Sequence, residues 1–272
     1  MTIGYQGEPF SYSHRASGLL FPGEDAVGFP SFQATFDALE AGKVDRLVMP
    51  IENSTTGSIL PVLDRLLTHE VHITGEHFEE IQHALLAHPG ATLESIRTVH
   101  SHPQALSQAE GVITRYGWDA QPEHDTAGAV RLVAERGDPA SACLAHPDSA
   151  EAHGLVVLLR NVVDRPHNTT RFVVLHPGRS FTVPDDADKT TVVFEVAHTP
   201  GSLAMALVEL GLRGANLSRI ESRPTDRAWS YRFFVDVEHR PGRAGFEGVF
   251  EPRPPHLYDV TYLGTYRNAR ER

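Results

Sequence analysis

The sequence predicts an α/β fold followed by a second, smaller α+β domain. As far as residue 175, short apolar runs alternate with stretches of helical periodicity, which is typical of a layered α/β domain. From residue 189 the order changes to β-α-β-β-(α)-β, which is ferredoxin-like. The intervening stretch is dense in Pro, Gly and Asp, as linkers are. We therefore expect a first domain at residues 1–177, a linker at 178–188 and a second domain at 189–272.

In the first domain, the apolar runs predict a series of short strands, and the strand at 46–49 is expected to stop at Pro50. The predicted strands are 2–5, 46–49, 71–75, 84–87, 98–100, 118–121, 140–145 and 171–175. Apolar residues at helical spacing predict the helices between them. These helices are 11–20, 32–41, 59–68, 103–116, 125–136 and 148–153.

In the second domain, the pattern predicts four strands and one complete helix. The strands are 190–196, 216–222, 230–238 and 258–266, and the helix is 201–212. Residues 240–255 are rich in Pro and Gly, so only 244–250 is expected to form a turn or two of a second helix.

Composition narrows the class of protein before any motif is considered. Of 272 residues, 40% are hydrophobic and 22% charged, which is ordinary for a globular chain. A net charge of -11 argues against a nucleic-acid partner, because phosphate binding needs a basic face. The first residues lack a signal-peptide pattern, and no apolar run is long enough for a membrane span, so we expect a cytoplasmic protein. Cys143 is the only cysteine, and its apolar surroundings predict a buried, unreactive thiol.

Four polar segments stand beside apolar strands and share one chemical character: many hydroxyls and amides, one Arg and few carboxylates. They are 11–14, 50–58, 101–104 with 125–126, and 168–172. Such a lining suits the carboxylates and hydroxyls of a small anion. Taken singly, each segment also fits a bland interpretation, since 52–58 could be a capping loop and Thr126 a helix cap. We expect no metal site, because His100 and His102 have no acidic or Cys partner at ligand spacing.

In this order, the segments resemble the prephenate dehydratase family. The resemblance rests on Gln6-Gly-Glu-Pro-Phe-Ser-Tyr-Ser13, Pro50-Ile-Glu-Asn-Ser54 with Gly57-Ser-Ile59, Ser101-His-Pro-Gln104, Asp125-Thr-Ala-Gly-Ala129 and Thr170-Arg-Phe-Val173. It runs to about residue 175 and implies two α/β lobes with the active site between them, like type II periplasmic binding proteins. It also implies conversion of prephenate to phenylpyruvate, water and carbon dioxide without a cofactor.

The resemblance assigns residues to this reaction one motif at a time. It makes Thr170 the catalytic residue, as a hydrogen-bond donor to the departing hydroxyl. The expected substrate contacts are Ser11, Asn53, Ser54, Ser101, Thr126, Arg171 and Phe172, although Arg171 could instead hold a neighbouring loop. His14 and His102 are alternative proton donors, although a solvated or hydrogen-bonded role fits them equally. One departure from the family is Phe10, which stands where relatives usually have Gly.

The second domain resembles an ACT domain, the ferredoxin-like module of amino-acid-regulated enzymes. The segments that carry the resemblance are His198-Thr-Pro-Gly-Ser-Leu203 and Glu221-Ser-Arg-Pro224. It implies a phenylalanine site between the ACT domains of a homodimer or homotetramer. The implied contacts are Gly201, Ser202, Leu203, Glu221, Ser222, Arg223 and Pro224.

Three other functions stay open at the level of sequence. The Gln6-Gly7 form also occurs in plant-type arogenate dehydratases, which act on a substrate that differs by one amino group. A solute-binding protein of the same two-lobed fold and an amino-acid sensor without catalysis are the non-enzymatic alternatives. The first is disfavoured by the lack of a signal-peptide pattern and by the Thr170-Arg171-Phe172 segment, and the second by the intact polar segments.

Overall fold

A computed structural model describes residues 1–164 and 168–270. Residues 271 and 272 of the predicted second domain lie outside the described residues. The chain divides into two compact units that interleave in sequence. The first unit contains residues 1–44, 48–59 and 78–172, and the second contains 45–47, 60–77 and 173–272.

The elements follow one another in mostly alternating order. The strands are β1 Thr2–Gln6, β2 Asp25–Phe29, β3 Arg46–Asn53, β4 Gly57–Ser58, β5 Val71–Glu80, β6 Ala84–Ala87, β7 Thr98–Ser101, β8 Asp119–Pro122, β9 Ser141–Ala145, β10 Val156–Leu159, β11 Thr169–Pro177, β12 Lys189–Glu195, β13 Asn216–Pro224, β14 Tyr231–Glu238 and β15 Tyr258–Tyr266. The helices are α1 Tyr12–Leu20, α2 Phe32–Glu40, α3 Leu60–Thr68, α4 Pro103–Gln108, α5 Glu110–Tyr116, α6 Thr126–Arg136, α7 Ser149–Ala152, α8 Ser202–Leu212 and α9 Gly242–Phe250.

The first unit contains strands of two sheets. One sheet has the order β2-β1-β3-β11-β5, with β4 paired to β3, and the other has the order β10-β6-β9-β7-β8. In the second sheet successive residues point to opposite faces. Leu85 and Ala87 therefore join a core that includes Leu106 and Ile113 of α4 and α5. Their neighbours Ala84 and Leu86 pack with Val130 and Val133 of α6 instead. Helices on both faces explain why these strands are continuously apolar.

The second unit contains the four-stranded sheet β13-β14-β12-β15. One face packs on α8 and α9 through a core that includes Val192, Phe194, Leu210 and Phe246. The other face lies against β5, so closely that a Cβ on Gly264 would be 2.0 Å from the carbonyl oxygen of Ile73. The predicted α/β fold with a ferredoxin-like second part is confirmed.

Several predicted element bounds are wrong: strand 71–75 continues to Glu80, and strand 171–175 extends at both ends to Thr169–Pro177. The strand 46–49 does not stop at Pro50 but continues to Asn53. Met49 and Ile51 on either side are fully buried, and their burial compensates for the one ladder hydrogen bond that Pro cannot donate. The helix expected at 103–116 is broken at Ala109, and the second half begins where the Asp164 carboxylate accepts a hydrogen bond from the Gly111 N–H at 2.8 Å.

The expectation of a shortened second helix in the ferredoxin-like part is also wrong. Helix α9 runs for nine residues from Gly242, because its glycines permit close packing instead of ending the helix. A Cβ on Gly245 would be 1.7 Å from the Arg240 carbonyl oxygen, and one on Gly242 would be 2.9 Å from that of Asp185. Phe246 and Phe250 bury the inner face of the helix.

Strands β2, β4 and β10 were not predicted. Strand β2 (Asp25–Phe29) is short, polar at its start and mostly exposed, so it carries no alternating apolar signal. Among the helices of the described residues, none has the length and apolar character that a membrane crossing requires.

Candidate active site

A cavity of about 250 Å³ lies within the first unit, where three helices begin. Helices α1, α4 and α6 start there, and the side chains of their N-caps Ser11, His102 and Asp125 accept hydrogen bonds from first-turn N–H groups. The cavity is lined by Tyr12, Ser13, Pro50, Asn53, Thr56, Ile59, Ile81, His83, His102, Gln104, Ala105, Gln108, Asp125, Thr126, Asn168, Thr170 and Phe172.

The electrostatic character of this cavity comes from backbone dipoles and from the Asp125 carboxylate. No Lys or Arg is among its described lining residues. Helix N-termini carry partial positive charge, so the starts of α1 and α6 favour an anion, whereas the Asp125 carboxylate that caps α6 opposes one. In a chain of net charge -11, these helix starts are the source of positive potential at the cavity for an anionic ligand.

Thr170 lies in this cavity on β11, with most of its surface buried. Its Oγ1 accepts a hydrogen bond of 3.0 Å from the side-chain amide of Asn53, at the end of β3. A hydroxyl that accepts from an amide keeps its own hydrogen for another acceptor. The geometry therefore allows Thr170 to donate a hydrogen bond into the cavity.

Asn53 also organises the loop that follows it. Its Oδ1 accepts hydrogen bonds from the backbone N–H groups of Thr55 and Thr56 at 3.0 and 3.2 Å. Its amide nitrogen donates to Asn168 Oδ1 at 2.7 Å. Asn168 in turn donates to Gln108 Oε1 at 2.8 Å. The cavity wall is thus a connected set of amides and hydroxyls from three separate segments of the chain.

The histidines near the cavity are held neutral. Burial lowers the pKa of His83 to about 4, against the opposing effect of a hydrogen bond with the Gln108 side chain. Burial likewise lowers the pKa of His102, although Asp125 opposes it, and lowers that of His14. Moreover, His102 Nδ1 and His14 Nδ1 already accept hydrogen bonds from the backbone N–H groups of Gln104 and Phe10. Neither is a charged acid at neutral pH.

Of the residues expected to contact a substrate, four line the cavity: Asn53, Thr126, Thr170 and Phe172. The other four do not line it. Ser11 caps α1, and Ser54 Oγ accepts a hydrogen bond from the Thr169 N–H at 2.9 Å. Ser101 is fully buried and donates to the Leu144 carbonyl oxygen at 2.7 Å. Arg171 is buried, with its Nη1 3.6 Å from a Glu52 carboxylate oxygen.

Most of the other lining residues had no role assigned from the sequence, among them Tyr12, His83, Gln108 and Asn168. A signal existed for Gln108, since it lies one helical turn after Gln104 and so faces the same way. Tyr12 and Asn168 belong to the polar segments 11–14 and 168–172, but their residue types alone indicate no specific contact. His83 sits between two apolar runs and gave no signal beyond its residue type.

Phe10, the departure from the family pattern, has a left-handed backbone with φ of 67°. This conformation suits glycine and strains other residues. The Phe10 ring makes edge contacts with His14 and with His153, whose ring centroids lie 5.9 and 5.3 Å away. These contacts and the hydrogen bond from its N–H to His14 account for the tolerated strain.

The second predicted site falls on the ferredoxin-like part. A shallow depression is lined by residues 196–204, including Gly201, Ser202 and Leu203. Gly201 has φ of 83° and forms the start of α8, and the Thr199 and Ser202 hydroxyls are 2.6 Å apart. Residues 221–224 lie on β13 and do not line this depression. Within them, Arg223 forms an ion pair with Asp64 at 2.7 Å.

Known proteins resemble this chain over nearly its whole length. The prephenate dehydratase family model matches residues 3–179. A bifunctional N-acyl-homoserine lactone acylase/prephenate dehydratase of Komagataeibacter europaeus is 37% identical over 242 residues, covering 88% of this chain and 86% of that protein. The chloroplastic arogenate dehydratase/prephenate dehydratase 2 of Arabidopsis thaliana is 37% identical over 246 residues, covering 87% of this chain. The chain spans 65% of the length of that plant relative.

A solved structure gives the same result at the level of fold. The prephenate dehydratase from Arthrobacter aurescens, in complex with L-Phe, superposes with a TM-score of 0.84 at 29% identity and covers 99% of this chain and 90% of that one. The match of the family model to more than half of the chain agrees with the order of the motifs and with the cavity they line. The chain therefore belongs to the prephenate dehydratase family.

Proposed function

We propose that this protein is a prephenate dehydratase, which converts prephenate to phenylpyruvate, water and carbon dioxide. The observation that carries the proposal is the Thr170 hydroxyl, which accepts from Asn53 and so has its hydrogen available in a cavity at three helix N-termini. The reaction consumes one proton and transfers no electrons to an external acceptor, so it needs no redox cofactor.

The barrier in this reaction lies in the departure of the ring hydroxyl, because hydroxide is a poor leaving group. A donor placed at that oxygen stabilises the charge that develops on it. Thr170 is the candidate for this donor. The helix N-termini at the cavity would hold the two carboxylates of the substrate, and Thr126 would contact them. Asn53 would act through Thr170, because both hydrogens of its amide are used on Asn168 and Thr170. Phe172, which lines the cavity from β11, would pack against the ring that becomes aromatic.

In the proposal, the remaining predicted residues do not contact the substrate but hold the backbone of the segments that do. Ser11 caps α1, whose N-terminus faces the substrate. Ser54 and Ser101 hold the main chain through their hydrogen bonds to Thr169 and Leu144. Arg171 is paired with Glu52 and would hold the strand end that presents Asn53.

Arogenate is the alternative substrate, because several relatives carry that name and the two substrates differ by one amino group. Purified protein should be assayed at neutral pH with each compound at equal concentrations, following phenylpyruvate and phenylalanine. A higher kcat/KM for prephenate supports the proposal. A reversed preference would make the protein an arogenate dehydratase that uses the same cavity.

Hydrolysis of an N-acyl-homoserine lactone is a second candidate, because the Komagataeibacter relative is named for it and is similar over 88% of this chain. The same assay should therefore include this compound, with release of homoserine lactone as the readout. Turnover of the lactone without turnover of prephenate or arogenate would refute the dehydratase proposal.

The proposal extends to regulation. Residues 189–272 would form an ACT domain after a linker at 178–188, and phenylalanine would be the effector. The L-Phe complex of the Arthrobacter relative supports this effector, and the start of α8 at Gly201 offers N–H groups for its carboxylate. Leu203 would line the pocket, and residues 221–224 would close it from a second subunit. Light scattering with and without L-Phe, together with calorimetric titration, tests both the oligomer and the effector.

A further inference from the structure

The amide of Asn53 has a fixed orientation. The backbone N–H groups of Thr55 and Thr56 both point at one atom of this amide. A backbone N–H can only donate, so that atom is the oxygen. The nitrogen of the amide must therefore point the other way, towards Asn168 and Thr170.

The orientation of the Asn53 amide determines the orientations of the neighbouring side-chain amides. Asn168 meets the Asn53 nitrogen with its oxygen, so its own nitrogen faces Gln108 and donates to Oε1. Gln108 then has its nitrogen on the far side, where it donates to Thr55 Oγ1 at 3.3 Å. Thr55 donates to Asn53 Oδ1 at 2.6 Å, which closes a ring in which every hydrogen points in the same direction.

We propose that this ring of Asn53, Thr55, Asn168 and Gln108 holds the Thr170 hydroxyl as a donor to the substrate, and that Asn168 is the positioning residue that closes it. The inference deepens the proposed dehydratase function and rests on it. A threonine hydroxyl has a single hydrogen. If the Asn53 amide were turned over, its oxygen would face Thr170 and take that hydrogen, and the substrate would lose its donor.

Asn168 has the properties that this role needs. It is almost fully buried, so water does not substitute for its partners. It must accept on the Asn53 side and donate on the Gln108 side, which an amide does. Its carbonyl oxygen accepts from the Ile81 N–H at 2.7 Å, so the main chain at this position stays anchored when the side chain is changed.

The substitution Asn168→Asp tests the direction of the ring. A protonated carboxyl has one accepting oxygen and one donating O–H, as an amide has, whereas an ionised carboxylate only accepts. We expect the kcat of Asn168→Asp, divided by that of the wild type, to fall at least tenfold between pH 5 and pH 8. Asn168→Leu, which can neither donate nor accept, should be about tenfold slower in kcat than the wild type at every pH, with KM changed less than about threefold.

Other titratable groups face this region in both proteins, so the ratio of rates removes their effect. His83, His102 and Asp125 line the same cavity, and Glu110 and Asp164 line an adjoining one. Asn161→Asp is the matched control, because it adds the same charge at an exposed position of the same segment. Its rate ratio should not change with pH.

A double substitution separates positioning from general damage to the fold. In a Thr170→Ala background, adding Asn168→Leu should lower the residual rate less than about twofold, because the hydroxyl that the ring orients is already absent. Full additivity would overturn the proposal. So would a flat pH ratio for Asn168→Asp, or a kcat of Asn168→Leu equal to that of the wild type.

The ring can also be tested without turnover. With selective ¹⁵N labelling of Asn and Gln side chains, Asn168→Leu should shift the NH₂ signals of Asn53 and Gln108, while Asn161→Asp should not. Unchanged signals would refute the ring. If the wild type converted neither prephenate nor arogenate, the dehydratase proposal would fail on its own, and these signals would still decide whether the ring exists.

Discussion

The buried ion pair between Lys189 and Glu76 supports a quantitative prediction about the second unit. The Lys189 Nζ lies 3.1 and 3.0 Å from the two carboxylate oxygens of Glu76, and the two side chains are 3% and 0% exposed. Glu76 also accepts the Ala269 N–H at 3.0 Å. The pair therefore connects β12, β5 and the end of the described chain.

Removing one partner of such a pair leaves the other charge in a place that water does not reach. Lys189→Met keeps most of the buried volume and removes the charge, so we expect it to lower the free energy of unfolding by about 3–5 kcal/mol. Lys189→Met combined with Glu76→Leu removes both charges. The double variant should be more stable than Lys189→Met alone, because no uncompensated charge is left buried.

Urea denaturation followed by far-UV circular dichroism measures both effects. Lys43, the other lysine of the chain, is exposed, so Lys43→Met is the matched control and should change stability by less than about 0.5 kcal/mol. A loss below about 1 kcal/mol for Lys189→Met would refute the reasoning. A double variant less stable than Lys189→Met alone would refute it as well.

Three further predictions concern the first unit. The pKa of His83 is about 4 in the folded protein and near 6.5 when unfolded, so the unfolded state binds more protons between these values. The free energy of unfolding should therefore fall by about 2 kcal/mol from pH 7 to pH 5. In urea denaturation, His83→Phe should remove this part of the loss. Burial raises the pKa of the Cys143 thiol, so a thiol reagent should label it only on unfolding, and fast labelling of the native protein would contradict this. Gly18→Ala, with open space around the new Cβ in α1, should stabilise the protein by roughly 0.5–1 kcal/mol. Gly28→Ala should instead destabilise it, because its Cβ would be 2.3 Å from the Gly7 carbonyl oxygen. Equal thermal midpoints for Gly18→Ala and Gly28→Ala would contradict both expectations.

Much of the fold was predictable because periodicity reports which faces of an element are buried. The apolar runs at β6 and β9 and the helical spacing in α6 gave the layers of the first unit. Pro50 was misjudged because a local rule about hydrogen-bond donors was outweighed by tertiary burial of its neighbours. Helix α9 was misjudged because the close contacts that require Gly242 and Gly245 come from distant residues.

For the candidate site, the sequence predicted segments better than individual side chains. Asn53, Thr126 and Thr170 come from three of the four polar segments, and the fold places them in one cavity. Which way each side chain faces depends on the backbone at that residue, so Ser101, singled out by the same reasoning, is buried against Leu144 instead. The role proposed for Asn168 rests on hydrogen bonds between residues more than fifty positions apart, which no local pattern encodes.

Turnover of prephenate by wild-type, Thr170→Ala and Thr170→Ser proteins is the measurement that tests the central claim most directly. We expect the alanine variant to lose about 10²–10³-fold in kcat, since one donor to the developing charge is removed. The serine variant keeps the hydroxyl and should stay within about tenfold of the wild type. An alanine variant with the kcat of the wild type would show that the departing hydroxyl is assisted by another group, and the account of this cavity would be contradicted.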